Sequence, residues 1–249
     1  MSRRRSSASS PSEPEDKAEE HEEKAEAVQL DLNATFGESL RMAALRHEET
    51  VLPYVSSVNI PAGLHAGTPR VILGAIRRAL AGGVRLGAAV SYRDFLGGGD
   101  RYLDETYEDL YAELVYQIGA VDALAFTEQG RLSYVRPCGA LARMAGRRKD
   151  HAEAILHAVG TYDPELPLVV HHLSPLLPMA TEAGLNVIVE YSAGSIERLR
   201  TSVGRIAADG HPEQSVSLHL DPATAPVVVR TLRELGHTFG APITARRGM

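Results

Sequence analysis

The sequence predicts one α/β domain built as a barrel of parallel strands. From Val28 onward, short apolar runs alternate with helical patterns, as expected for consecutive parallel βα units. Two of these runs, Leu168-Val169-Val170 and Val187-Ile188-Val189, are apolar at every position, which is typical of strands covered on both faces. No Gly-x-Gly-x-x-Gly motif follows the first strand. A closed or nearly closed barrel is therefore favoured over an open dinucleotide-binding sheet.

The elements follow in order along the chain. The seven predicted strands are Val28–Asn33, Ser56–Ile60, Val84–Val90, Leu132–Arg136, Leu166–His171, Asn186–Glu190 and Ser215–Leu220. Capping residues and first-turn prolines predict helix starts at Thr68-Pro69, Asp104, Ser174-Pro175, Ser195 and Thr224. Residues 1–27 have almost no large apolar side chain, so we expect a disordered tail ahead of a single domain over residues 28–249.

Composition narrows the class of protein. A net charge of −6 argues against nucleic acid as the main ligand, because phosphate binding needs a basic face. The longest apolar runs are far shorter than the roughly 20 residues that span a bilayer. A single cysteine, Cys138, excludes an internal disulfide and fits a reducing compartment. With no signal peptide in evidence, we expect a cytoplasmic protein.

Polar side chains collect where the predicted strands end. In barrels of this kind the loops after the strands converge on one mouth, where chemistry takes place. This position predicts a site made of Asp31, Asn33, Asn59, His65, Tyr92, Asp94, Arg136, Cys138, Glu190, His219 and Asp221.

The residue types predict different roles within this site. Asp31 lies in an apolar strand, where a carboxylate is costly to bury, and His65 lies between glycines; both are predicted acid–base groups. His219 and Asp221 are two apart and share a face, so they are a predicted supporting pair, although Asp221 could equally cap a helix. The Arg136 fork suits a substrate carboxylate. The remaining six residues are predicted to bind substrate.

Several of these features have a structural alternative. Asn33 could brace a turn, and Cys138 is more often an inert thiol than a nucleophile. Of His171 and His172, at most one can face the mouth, because adjacent strand residues point to opposite faces. Residues 97–99 are three glycines that predict a flexible loop rather than a phosphate cradle. Metal binding has weak support, since no His-x-His or His-Glu-x-x-His spacing is present.

Four motifs together resemble the LamB/YcsF family, whose members are the A subunits of 5-oxoprolinase. They are Asp31-Leu32-Asn33, the segment Asn59-Ile60-Pro61-Ala62-Gly63-Leu64-His65-Ala66-Gly67, the pair Tyr116-Gln117-Ile118-Gly119-Ala120 and Val135-Arg136-Pro137-Cys138-Gly139-Ala140-Leu141, and Leu218-His219-Leu220-Asp221-Pro222. The resemblance implies a seven-stranded barrel of the glycoside hydrolase/deacetylase type. It also implies ATP-dependent opening of the 5-oxoproline lactam to glutamate, performed together with subunits B and C.

Departures from the family pattern define the hypotheses. Thr35 replaces the family's second Asp, Ala89 and Cys138 each replace a histidine, and Arg136 replaces a lysine. The first hypothesis is a divergent enzyme acting on the lactam or amide C–N bond of a small carboxylated substrate, by hydrolysis or the reverse cyclisation. The second is a non-catalytic binding or partner subunit. The third is a metal-dependent, deacetylase-like hydrolase. A homo-oligomer is compatible with all three.

Overall fold

Parallel strands alternate with helices in the computed structural model, which describes residues 29–192, 216–219, 223–234 and 238–239. The strands are β1 Gln29–Thr35, β2 Ser57–Pro61, β3 Arg85–Val90, β4 Leu132–Pro137, β5 Leu168–His171, β6 Val187–Ser192, β7 Val216–His219 and β8 Thr238–Phe239. The helices are α1 Met42–Glu48, α2 Pro69–Ala81, α3 Tyr107–Thr127, α4 Gly139–Met144, α5 Lys149–Tyr162, α6 Leu176–Glu182 and α7 Ala225–Glu234, with a 3-10 helix over Glu49–Tyr54. The predicted single parallel α/β domain is confirmed; the predicted tail lies outside the described residues.

The strand pairings run in chain order and return to their start. Each of β1 to β6 pairs in parallel with the next strand, and β7 pairs in parallel with β1. The first two residues of β1 pair instead with β8. Sequence analysis did not predict β8, because two residues are too few to produce a strand pattern.

Alternate residues of each strand face the helices or the barrel interior. Val58, Ile60 and Val135 belong to the main apolar core that the strands share with the helices. Between these outward residues lie inward ones, since successive side chains of a strand point to opposite faces. Tyr134 is one of them and forms a separate apolar cluster with Val169 and Ile188 inside the barrel. The two-faced burial expected of β5 and β6 is thus observed.

Helix starts follow the capping signals with one correction. Thr68 caps α2 by accepting a hydrogen bond from the Val71 N–H, and Pro69 occupies the first turn. The predicted start of α3 at Asp104 is wrong, because Thr106 is the cap and its hydroxyl accepts from the Asp109 N–H at 3.1 Å. The predicted start at Ser195 lies outside the described residues. In the part of the chain that is described, no helix is long and apolar enough to cross a membrane.

Candidate active site

Asp31 lies at the amino end of the barrel rather than at its mouth. Strand β1 continues for four residues beyond it, to Thr35. Its carboxylate accepts hydrogen bonds from the Ser56 hydroxyl at 2.5 Å and the Ser57 hydroxyl at 2.9 Å, and it forms an ion pair with Arg85. Ser57 and Arg85 are the first residues of β2 and β3. The predicted position of Asp31 at a strand end is therefore wrong, and its partners favour a structural role.

A chain of side-chain hydrogen bonds crosses the barrel interior above Asp31. The Tyr134 hydroxyl donates to Asn59 Oδ1 at 2.9 Å, and Asn59 Nδ2 donates to Asn33 Oδ1 at 2.8 Å. Asn33 Nδ2 in turn donates to Glu190 Oε1 at 3.4 Å. Both asparagines are fully buried, and buried polar groups of this kind are costly unless they are paired. Asn33 and Asn59 thus position Glu190 rather than reach the mouth themselves.

Strand β3 leaves room for this chain through Gly87. A Cβ atom at Gly87 would lie 1.9 Å from the Tyr134 ring. Tyr134 was missed by sequence analysis, yet the signal was present: it is two residues before Arg136, so both side chains leave the same face of β4. The tyrosine ring fills the space that a side chain at position 87 would need.

Arg136 and Glu190 form a two-pronged ion pair at the carboxyl ends of β4 and β6. Arg136 Nε and Nη2 each lie 2.9 Å from one of the two Glu190 carboxylate oxygens. Burial lowers the pKa of Arg136, but the adjacent Glu190 carboxylate raises it more, and the net direction is upward. Because the fork of the guanidinium is filled, the predicted grip of Arg136 on a substrate carboxylate is not supported.

Cys138 and His65 meet beside this ion pair. The Cys138 Sγ lies 3.6 Å from His65 Nε2 and 3.5 Å from the Val90 carbonyl oxygen. His65 is only 2% exposed, and burial lowers its pKa to about 4 against the opposing effects of Gln117 and Asp94. Burial also raises the pKa of the Cys138 thiol to about 11. At neutral pH the pair is an uncharged thiol facing an uncharged imidazole.

These groups line a cleft of about 160 Å³ at the carboxyl ends of β4, β5 and β6. Arg136, Cys138 and Glu190 lie in its wall together with His171. His172 faces away and stacks on Tyr191 with 4.3 Å between ring centroids. The expectation that at most one of the two histidines faces the mouth is consistent with this arrangement. Sequence analysis left open which one, because the pattern alone does not specify which face of β5 points inward.

Tyr92 and Asp94 do not reach this cleft. The Tyr92 side chain is fully buried in the outer core, and its hydroxyl lies 2.6 Å from His151 Nδ1. The Asp94 carboxylate accepts from the Gly97 and Arg101 N–H groups at 2.9 Å each and pairs with the Arg101 side chain, which lowers the pKa of Asp94 to about 2. The substrate-binding roles predicted for both residues are not supported, because their polar atoms already have partners.

The glycine loop after β3 packs against the turn after β4. The Gly99 carbonyl oxygen accepts from the Ala140 N–H at 2.8 Å and from the Ser91 hydroxyl at 3.3 Å. Gly139 adopts φ +59°, and a Cβ there would lie 2.3 Å from that same oxygen. The segment predicted as a flexible loop is thus fastened at the edge of the site, next to Cys138.

His219 ends β7, where its backbone is in register with Asn33 and Ser192. This register places residue 219 near the carboxyl ends of its neighbours, as predicted. The side chain of His219 and the whole of Asp221 lie outside the described residues. Their predicted role as a supporting pair therefore stays a prediction.

Comparison with known proteins supplies the family. Residues 30–232 match the LamB/YcsF family. The chain belongs to this family. Proteins named as the A subunit of 5-oxoprolinase resemble it from Corynebacterium efficiens (39% identity over 196 residues, covering 79% of this chain and 74% of the relative) and Mycobacterium ulcerans (41% over 161 residues, covering 65% and 64%). Against the latter, the chain spans less than two thirds of the relative's length.

A solved structure of a lactam utilization protein has the same fold. This crystal structure, of the protein from Thermus thermophilus, superposes with a TM-score of 0.75 at 34% identity, covering 86% of this chain and all of that one. Within the described residues, no group of three or more His, Cys, Asp or Glu side chains is arranged to hold a metal ion.

Proposed function

We propose that the cleft acts on the amide C–N bond of a small lactam, either opening the ring or forming it. The observation that carries this proposal is the proton-exchanging pair in its wall, Cys138 Sγ at 3.6 Å from His65 Nε2. Breaking an amide C–N bond requires a proton for the leaving nitrogen, and closing one requires its removal. The names of the relatives, which refer to lactam utilization and 5-oxoprolinase, support the same chemistry.

Within this proposal His65 is the proton acceptor and Cys138 connects it to the cleft. His65 is buried, and its Nε2 faces the thiol. A lowered pKa keeps the imidazole unprotonated near neutral pH, which is the form that accepts a proton. Glu190 and Arg136 hold the opposite wall rigid. Asp31 is removed from the predicted acid–base set, and His219 with Asp221 is retained as a supporting pair.

ATP chemistry, which the resemblance implies, does not fit the described residues of this chain. The one glycine-rich candidate, the loop at residues 97–99, has the Asp94 carboxylate bound against its backbone. A carboxylate at that position repels phosphate, and cradles for phosphate depend on free N–H groups and a cation. We therefore derive no step through ATP in this chain and propose that any ATP-dependent step belongs to partner proteins resembling subunits B and C.

Exposed apolar side chains around the mouth support such partners. Leu40, Phe95, Leu96 and Leu173 are 44–91% exposed, and they lie on the loops that follow β1, β3 and β5. Apolar groups gathered on one end of a barrel are typical of a protein-binding surface. We further propose a cytoplasmic location and a kinship with glycoside hydrolase/deacetylase-type barrels.

The test is turnover by the purified protein, alone and mixed with subunits B and C of a related 5-oxoprolinase. We expect ring opening of 5-oxoproline or 2-pyrrolidinone that is reduced roughly 100-fold or more in His65→Gln and Cys138→Ala, as for loss of a general acid–base group. Asp31→Asn should retain activity. Equal turnover by the wild type and His65→Gln would refute the proposed role of the pair.

A second candidate, a non-catalytic partner subunit, is favoured by the filled Arg136 fork. A cleft whose cation already binds Glu190 has one fewer group for substrate. In this case the wild-type chain would bind the partner subunits without adding any activity, and His65→Gln would change neither binding nor turnover of the complex. A metal-dependent hydrolase gains no support from the described side chains, and metal analysis of the purified protein tests it.

A further inference from the structure

The His171 ring is fixed in one tautomer by a backbone hydrogen bond. The Leu173 N–H donates to His171 Nδ1 at 3.2 Å. A ring nitrogen that accepts a hydrogen bond carries no hydrogen, so the neutral imidazole must carry its hydrogen on Nε2. Burial and the neighbouring His172 lower the pKa of His171, which stabilises this neutral form. His171 therefore presents a neutral N–H donor in the wall of the cleft.

The charges in the cleft wall cancel. Arg136 is paired with Glu190 through two contacts of 2.9 Å. Cys138 is a neutral thiol with a pKa raised to about 11 by burial, and His171 is neutral. Among the described residues that line the cleft, the formal charges sum to zero. A substrate carboxylate would have to compete with Glu190 for one guanidinium.

The surroundings of the cleft add negative charge. Glu38, on the loop after β1, contributes to raising the pKa of Cys138, as does Asp100. The same two carboxylates repel each other, which contributes to raising the pKa of Glu38. An anion approaching Cys138 meets the same repulsion that a thiolate would. This electrostatic environment favours an uncharged ligand.

We propose that the cleft binds an uncharged cyclic amide whose carbonyl oxygen accepts a hydrogen bond from His171 Nε2. This inference rests on the proposed function and specifies its substrate class, which differs from the carboxylated lactam that the family resemblance implies. A neutral donor suits a carbonyl oxygen, on which negative charge develops when the carbonyl carbon is attacked. The volume of about 160 Å³ suits a ring of five or six atoms.

The experiment uses two probes with the same ring, 2-pyrrolidinone and its carboxylated form 5-oxoproline. Proton–nitrogen NMR of the histidine rings in the full chain reports the tautomer and the binding of each probe. We expect His171 as the Nε2–H tautomer, shifted by 2-pyrrolidinone. We also expect 2-pyrrolidinone to bind roughly tenfold more tightly than 5-oxoproline, because the added carboxylate meets Glu190.

Variants separate the two parts of the proposal. His171→Ala should weaken 2-pyrrolidinone binding roughly tenfold, as for a lost hydrogen bond to a buried carbonyl, whereas the matched control His172→Ala should leave it unchanged. Glu190→Gln should shift the preference towards 5-oxoproline, because the Arg136 charge becomes available; thermal unfolding checks that this variant is folded. The wild-type measurements depend on no variant.

The outcomes are distinct. Tighter wild-type binding of 5-oxoproline, an Nδ1–H tautomer of His171, or no response of His171 to either probe overturns the inference. Binding as expected without ring opening supports the inference and refutes the proposed function. Ring opening together with a preference for 5-oxoproline supports the proposed function and overturns the inference.

Discussion

Replacing Asp31 by asparagine separates a structural role from a catalytic one. The carboxylate is 1% exposed and is held by two serine hydroxyls and the Arg85 guanidinium. Asparagine keeps an oxygen for the serines but removes the charge, which leaves the 16%-exposed Arg85 side chain without its anion. Removing one partner of a buried ion pair costs about 3–5 kcal/mol, and we expect a value of about 3 because the serine contacts persist.

The assay is urea and thermal unfolding alongside ligand binding. For a domain of this size, about 3 kcal/mol corresponds to a fall in melting temperature of roughly 6–12 °C. Lactam binding at the opposite end of the barrel should be unchanged at temperatures where the variant is folded. Asp100→Asn is the matched control: its carboxylate is 70% exposed and pairs with the exposed Arg143, so little change in stability is expected.

A double variant tests the origin of the effect. Arg85→Met should be destabilising alone, and the combination of Asp31→Asn with Arg85→Met should cost less than the sum of the two, because the second change removes the unpaired charge. If Asp31→Asn abolishes turnover or binding while its unfolding free energy matches the wild type, the structural assignment of Asp31 is refuted.

Three further predictions follow from packing and titration. Gly87→Ala should lower the free energy of unfolding by about 1–3 kcal/mol through overpacking against Tyr134, whereas Gly119→Ala, in helix α3 with 3.8 Å to its nearest neighbour, should raise it by about 0.5–1 kcal/mol; chemical denaturation checks both, and equal effects would contradict the clash. Alkylation of Cys138 by iodoacetamide, followed by mass spectrometry, should be slow at pH 7.5 and accelerate towards pH 11; an inflection at or below the free-thiol value of roughly 8.5 would contradict the raised pKa. His65 has a folded pKa of about 4 against 6.5 when unfolded, so its neutral form stabilises the fold above pH 6.5 and this stability is lost as pH falls towards 4; the loss should be roughly 3 kcal/mol larger in the wild type than in His65→Gln when unfolding is measured from pH 7 to 4.

Strand positions were predictable because burial on one or both faces leaves a local pattern. The predicted strands starting at Ser56 and Leu132 begin within one residue of those observed. Strand ends were less well defined by the pattern, and this affected the site: β1 was predicted to end at Asn33 but extends to Thr35. That shift placed Asp31 nearer the mouth than it is.

Membership of the site depended on partners that are distant in sequence. Tyr92 was assigned to substrate because it follows a strand, yet its hydroxyl is satisfied by His151, 59 residues later. Arg136 was assigned to a substrate carboxylate, yet Glu190, 54 residues away, fills its fork. Residue type and strand register predict which side chains approach the mouth. They do not predict which of those side chains are already paired.

The double pairing of β1 has a consequence for how the chain reaches its native state. Asn33 pairs with Ser57 of β2, 24 residues on, and also with His219 of β7, 186 residues on. Contacts between such distant segments form slowly, because the intervening chain must lose its freedom before the contact compensates. Until β7 arrives, β1 and β6 each expose a row of unpaired backbone groups, which are templates for aggregation. A nascent chain that has reached only Ser192 is therefore the species most in need of a chaperone.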